Sequence, residues 1–258
     1  ARSSWGGAVR FGGVQWSTNF ALQPDFVTFP LPGISGEAAL PSTVELYVDS
    51  ALRMRRQVPS GPFSIENLPV PNGQGDARLV VRDILGREQI ITQPFDTNSQ
   101  LLKLGLHDYS YEVGFVRRNF GIDSNNYGRP MAVGTHRLGL TEQFTGEVHG
   151  EFLGNQQTVG LGGVLMLPAA GVLSGSFAAS HSDRGIGGFL GLGFRRQSRS
   201  FSFGVNTQLA GQRFVKLGMQ PEELAPRQTS QAFVNLSTTD YGSFSARFTH
   251  QAFRDKED

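Results

Sequence analysis

The sequence predicts an all-β fold: a partial transmembrane antiparallel β-barrel carrying an inserted, small immunoglobulin-like β-sandwich. Three observations lead there. Segments of alternating apolar and polar residues recur at hairpin spacing, the period of strands with two unlike faces. Their polar face carries Ser, Gly, Asn and Gln instead of the Lys/Glu mixture usual on water-soluble surfaces. Between residues 40 and 95 the texture changes to short, dense, aliphatic strands, as in a small soluble sandwich. A strand with one face in lipid and the other in a wet lumen has the first texture. A compact module spliced into a run of such strands reads mechanically as something that sits in, or swings out of, a pore.

Residues 4–18 interleave aromatic and apolar positions with Gly and form the first strand. Residues 19–41 carry Pro24, Pro30, Pro32 and Pro41 among Gly33 and Gly36, and read as a connector with little regular structure. The module follows. Residues 42–48 alternate, Asp49-Ser50 makes a tight turn into residues 51–58, and Pro59-Ser-Gly-Pro62 breaks the chain before a short strand at 63–66. Residues 76–82 and 88–92 form a second hairpin around Asp83-Ile-Leu-Gly-Arg87. Five short strands result, fewer than the typical sandwich of this kind.

After Phe95 the alternation resumes. Tyr109, Tyr111, Val113 and Phe115 oppose Ser110, Glu112 and Gly114; Phe144, Val148 and Phe152 oppose Thr145, Glu147, His149 and Glu151. Val159, Leu161 and Leu165, then Leu173, Phe177 and Ala179, mark two more strands. Leu190, Leu192 and Phe194 oppose Gly191, Gly193 and Arg195, and Phe201, Phe203, Val205 and Leu209 oppose Ser202, Asn206 and Gln208. Ala232, Val234 and Leu236 precede a last strand in which Phe244, Ala246 and Phe248 oppose Ser245, Arg247 and Thr249. Each segment approaches the roughly 9–11 residues a tilted strand needs to cross a bilayer. Residues 212–229, with Pro221, Pro226 and Glu222-Glu223, read as a long surface loop.

Composition excludes several classes. The 258 residues include 33 glycines, too many for an ordinary core and without a collagen period. A formal net charge of +1 leaves no electrostatic footprint for nucleic acid. The absence of cysteine excludes a disulfide framework and any thiolate metal site, and suits an envelope protein. The chain opens at Ala1 without a basic-then-apolar leader, so a signal peptide is expected to be cleaved or outside this piece. The weakly polar run 160–175 is too short for a membrane helix and is broken by Pro168. An open sheet in hydrocarbon would leave both edges unpaired at several kcal/mol per group. With Phe11-Gly-Gly-Val starting in mid-pattern and Arg254-Asp-Lys-Glu-Asp258 resembling the start of a loop, the expectation is an internal piece of a larger barrel.

No constellation supports catalysis, a metal or a cofactor. His149 between Glu147 and Glu151 shares a face with both, but alternate strand residues stand about 7 Å apart instead of converging on an ion. A polar lumen wall is the better reading. Gly185-Ile-Gly-Gly-Phe-Leu-Gly191 loosely matches a dinucleotide loop but lies in an alternating strand without a following helix. Ser180-His-Ser-Asp183 places triad residue types side by side, whereas triads assemble in space, and it reads as a turn.

Several stretches resemble the fimbrial outer-membrane ushers. Phe11-Gly-Gly-Val-Gln15 ahead of a proline-rich connector is similar to the entry to the usher plug. Val58-Pro-Ser-Gly-Pro-Phe-Ser-Ile65 is similar to the P-x-G-P-F-x-I segment of that plug. Residues 75–83, Gly86-Arg87 and Ile91-Thr-Gln-Pro-Phe95 look like its continuation, and Leu101-Leu102, Gly105-Leu106 and Tyr109-Ser-Tyr111 resemble the strand after it. The specific part spans residues 11–121. The resemblance implies a two-dozen-strand barrel in the bacterial outer membrane that secretes folded pilus subunits arriving from periplasmic chaperones, with a plug blocking the resting pore. It implies residues 1–39 as barrel strand and connector, 40–95 as plug, and 96–258 as barrel strands. The family's periplasmic domains and about half of its barrel have no counterpart here, so the full role is expected of a longer parent protein.

On this reading Pro59, Gly61, Pro62 and Phe63 belong to the plug, and Glu112, Glu147, His149, Glu151, Arg195 and Arg247 face the lumen. Arg53, Arg55 and Arg56 have two readings: a solvated strand edge, or contacts from plug to Glu112, Glu147 and Glu151 that hold a gate closed. The module is expected inside the curve of the sheet, with crossing segments at 19–41 and 91–104 running close together. Partners would be pilus subunits, their chaperone and outer-membrane lipid, with no nucleic acid. Two rivals remain. A general outer-membrane diffusion porin explains the alternation but not the module. A soluble β-sandwich adhesin or interaction module would bury Phe201, Phe203, Phe244 and Phe248 in a core.

Overall fold

The structure, a computed structural model, describes residues 3–23, 26–48, 50–198, 200–219, 223–238 and 241–254. Pro24, Asp49 of the expected Asp49-Ser50 turn, Pro221 and Glu222 of the expected loop, and the tail after Arg254 lie outside the described residues. Among the described residues sixteen strands form three antiparallel sheets. Ten build one meander in the order β1 (Phe11–Ser17), β8 (His107–Arg117), β9 (Tyr127–Gly139), β10 (Phe144–Leu153), β11 (Gln156–Leu167), β12 (Gly171–Ser182), β13 (Gly185–Gln197), β14 (Phe201–Ala210), β15 (Gln228–Thr238), β16 (Gly242–Ala252). The remaining six, inserted between β1 and β8, are β2 (Ile34–Ala38), β3 (Ser42–Val48), β4 (Ala51–Val58), β5 (Gly61–Ile65), β6 (Gly73–Asp83) and β7 (Glu88–Thr97).

The ten-stranded sheet keeps its register except for one irregularity in the β8–β9 ladder, between Phe115 and Arg117. β1 pairs directly with β8 from Phe11↔Val116 to Ser17↔Ser110, so the long insertion does not interrupt the ladder. Because side chains alternate, this register gathers Val113, Val148, Leu161, Phe177, Leu190, Val205, Val234 and Phe244 on one outer face. That face is exposed: Val113 is 63%, Phe177 59% and Phe248 62% accessible. Phe201 and Phe244 are exposed as well, so the core a soluble adhesin would need is not formed there. Among the described residues β1 and β16 each have one neighbour, and the sheet is open.

The inserted strands pack around their own core. A four-stranded sheet, β4-β3-β6-β7, faces the β2-β5 pair across Ile34, Val44, Leu46, Ile65, Leu79 and Phe95. The expected five strands are six. Residues 34–38, read as connector because prolines flank them, pair with β5 and place Ile34 and Ala38 in the core. Residues 40–95 therefore omit β2 and the end of β7. Gly61, at φ +118°, begins β5 where the chain passes from one sheet to the other. Leu79→Ala, at a fully buried site, is expected to cost the module about 2–5 kcal/mol. In the full-length protein this change should lower the protease resistance of residues 34–97 while cleavage within β8–β16 stays unchanged.

The two crossing segments meet: Lys103 N–H donates to the Thr28 carbonyl at 2.8 Å. The return segment is then anchored on the inner face of the ten-stranded sheet. Leu101 is buried against Met166 and Val172, and Leu102 N–H donates to Thr145 Oγ1 at 2.8 Å. The module itself is not lodged on that face. Its β6–β7 end borders a cleft shared with Gln143, Met166, Pro168, Arg196 and Ser198, at the rim where the β9–β10, β11–β12 and β13–β14 connections turn. The same cleft is lined by Leu101, so the module's β6–β7 end and the anchored return segment meet at this rim.

Candidate functional site

The inner face is cupped around a cavity of about 560 Å³. Ser174, Ser176, Gly191, Gly193, Asn206 and Gln208 supply small or neutral polar surface there, and none of the described residues between 34 and 97 lines it. Small side chains are imposed by packing at several points; a Cβ on Gly193 would come within 2.6 Å of Ser174 Oγ. Charge is sparse. Glu147, Arg137, Arg195 and Arg247 line the cavity. Arg137 is held by the Gln100 carbonyl at 2.5 Å, Asp108 at 3.4 Å and Glu147 at 3.8 Å, which ties the return segment to the sheet. Arg195 lies over the inward Phe233 ring at 5.5 Å. Arg247 stands on the edge strand β16, opposite Phe233. Glu112 is on the same face and accepts hydrogen bonds from Gln15 Nε2 (3.1 Å) and Ser110 Oγ (3.0 Å).

His149 and Glu151 point inward but do not form an open polar wall. Both are buried, at 3% and 1% exposure, under two segments that fold over the inner face. Glu151 Oε1 accepts from Gly7 N–H (2.5 Å) and His149 Nε2 (3.0 Å), and its Oε2 accepts from Leu217 N–H (2.6 Å). Thr135 Oγ1 lies 2.7 Å from His149 Nδ1, completing the imidazole's partners. A buried carboxylate is tolerated only when it is bonded in this way. The strand spacing that argued against a metal also overstated the separation of these side chains. His149 bends along the strand to reach Glu151, and Glu151 anchors the backbone N–H groups of two segments.

The segments anchored on Glu151 were not recognisable as inward-folding. Residues 212–229 looked like a surface loop, yet Phe214 (1% exposed), Val215 and Leu217 are buried. Phe214 stacks on Phe189 (centroids 5.2 Å) within a cluster containing Trp5 and Ala178. The apolar Phe214-Val-Lys-Leu217 run inside a polar, proline-bearing loop was the available signal.

On the module, Arg55 pairs with Glu45 at 2.6 Å, and Tyr47 Oη donates to the same carboxylate at 2.8 Å. The Tyr47 hydroxyl and then the Arg55 guanidinium hold the Glu45 carboxyl below its ordinary range. Arg53 and Arg56 lie on the exposed β4 edge. None of the three reaches Glu112, Glu147 or Glu151, whose partners are those given above. The contact reading of this arginine set is therefore corrected: Arg55 is satisfied within its own sheet. Pro59 lies exposed in the β4–β5 connection, Pro62 pairs in register with Glu37, and Phe63 packs on the module core against Gly36.

Residues 2–251 match the family described as outer membrane usher protein. The chain is 26% identical over 162 residues to the F1 capsule-anchoring protein of Yersinia pestis, covering 61% of this chain and 19% of that one. It is 22% identical over 179 residues to the outer membrane usher protein FasD of Escherichia coli, covering 69% and 21% respectively. It thus spans about a fifth of the length of these curated relatives. In fold it is similar to a chain of the E. coli P pilus tip assembly intermediate PapC-PapD-PapK-PapG, with TM-score 0.68, 17% identity, and 99% of this chain and 33% of that chain covered. It is also similar to the P pilus usher (PapC) translocation pore, with TM-score 0.55, 19% identity, and coverage of 95% and 52%. With one match running through both the ten-stranded meander and the module inserted in it, this chain belongs to the outer membrane usher protein family.

Proposed function

We propose that this chain is the plug-bearing part of a gated pore in the bacterial outer membrane, through which its full-length protein secretes folded pilus subunits delivered by a periplasmic chaperone. The ten-stranded sheet is then a sector of a transmembrane β-barrel, residues 34–97 are the plug, and the cupped polar face is lumen. One observation carries the reading: a continuous outer face of exposed Val, Leu and Phe backs an inner face of Ser, Gly, Asn and Gln. A water-soluble monomer rarely exposes an apolar patch of that extent, whereas a barrel wall requires it. Membership in the usher family supports the choice of cargo, and a fold similar to a chain of a P pilus tip assembly intermediate agrees with it.

Transport here needs no covalent chemistry. Work is done by steric gating, and a lumen of neutral polar side chains lets a folded subunit slide without being trapped on apolar surface. A general diffusion porin would leave the separate core of the module and its tied connectors without a purpose. The test is genetic and biochemical. Cells lacking the full-length gene should lose surface pili and regain them on complementation, and the purified protein should retain chaperone–subunit complexes. Normal piliation in the deletion strain would overturn the proposal.

A further inference from the structure

Between β14 and β15, at the rim opposite the module, the chain turns onto the inner face and crosses four strands. Gly187 of β13 packs against the Phe214 backbone so closely that a Cβ would collide with it. Ser180 of β12 accepts from Val215 N–H at 3.0 Å, and Thr158 of β11 donates to the Val215 carbonyl at 2.9 Å. Glu151 of β10 takes Leu217 N–H, and through its other oxygen holds Gly7 of the segment preceding β1. Lys216 Nζ closes the arrangement on the Trp5 carbonyl at 3.3 Å. Each strand in turn contributes one anchor, and the polar anchors are buried.

We propose that residues 211–219 form a stationary shelf that narrows the pore at the rim opposite the plug, and that Glu151 is the residue positioning it. The inference rests on the pore reading above. A mobile gate would be expected to make few, exposed contacts. This segment instead has a fully buried aromatic and a buried carboxylate that accepts backbone N–H groups from residues 7 and 217, far apart in sequence. Glu151 suits the role because its two oxygens accept from two segments at once. A glutamine could accept on one side only, and its amide would oppose the other N–H donor. The pore would then contain two obstacles in series, a removable one at the module's rim and a fixed one at the other.

Single-channel recording on the full-length protein in planar bilayers separates the possibilities. Removing residues 34–97 should produce conducting channels. On that background, replacing residues 212–219 with a Gly-Ser linker should raise unitary conductance further. Three strand spacings, about 14 Å of a large circumference, make the rise modest, on the order of 1.5-fold. Glu151→Gln and the double change Thr158→Val with Ser180→Ala should each give part of that rise, while Glu151→Gln with the module intact stays quiet. A mere folding defect lowers the number of channels, not the conductance of each one. No conductance after module removal would defeat the pore reading. Conducting channels whose unitary conductance is unmoved by the loop replacement and by both sets of point changes would overturn the shelf.

Discussion

Excision of residues 34–97 is expected to convert a quiet full-length protein into one with large, persistent single-channel currents. The ten-stranded sheet should survive the operation, for reasons visible in its ladders. β1 pairs with β8 through their own backbones, and Thr18 N–H continues that pairing to the Tyr109 carbonyl at 3.0 Å. The two connectors already touch at Thr28 and Lys103, so a short linker can join residue 33 to residue 98 without pulling on the sheet. Leu101 and Leu102, which hold the return segment on β10–β12, are retained. The buried residues removed, including Val44, Leu46 and Leu79, pack on one another, so their loss opens no cavity in the wall. Unchanged conductance after excision would mean that the module is not a plug. The arginines Arg53, Arg55 and Arg56 are not expected to govern this transition through carboxylates of the inner face, since Arg55 is paired with Glu45.

A lysine scan across the two faces of one strand should produce the largest stability contrast. Phe177 and Ser176 are neighbours in the middle of β12, one outward between Leu161 and Leu190, the other lining the inner cavity. Phe177→Lys near the bilayer midplane is expected to cost about 2–4 kcal/mol, because the ammonium must be carried into hydrocarbon. Ser176→Lys should cost far less, its charge extending into the hydrated cavity. Equilibrium unfolding by denaturant of the full-length protein in lipid vesicles reads both. Equal costs on the two faces would contradict the assignment of the outer face to lipid and restore a water-soluble reading.

Much of this architecture was legible without coordinates because strand alternation has a period of two and a register shift of one residue would turn every Phe and Leu to the wrong side. Tyr111, Phe152, Leu192 and Phe244 declare the outer face, and the dense aliphatic runs around Val44 and Leu79 declare a second core. Residues 34–38 escaped notice because a five-residue strand flanked by prolines and containing Gly36 has a weak local pattern; its pairing with Gly61–Ile65 is supplied by a segment more than twenty positions away. By itself, then, the sequence determined the all-β class, the two textures, the orientation of the long strands other than β9, which it did not mark, and the resemblance to ushers. Only the tertiary structure decided that the module's β6–β7 end meets the return segment at one rim, that Arg55 is satisfied by Glu45, and that residues 211–219 and the segment before β1 fold inward over Glu151. The reason is physical: alternation is a local property written along each strand. Where a loop packs depends on buried donors and acceptors finding partners far away in sequence, and no local period records that.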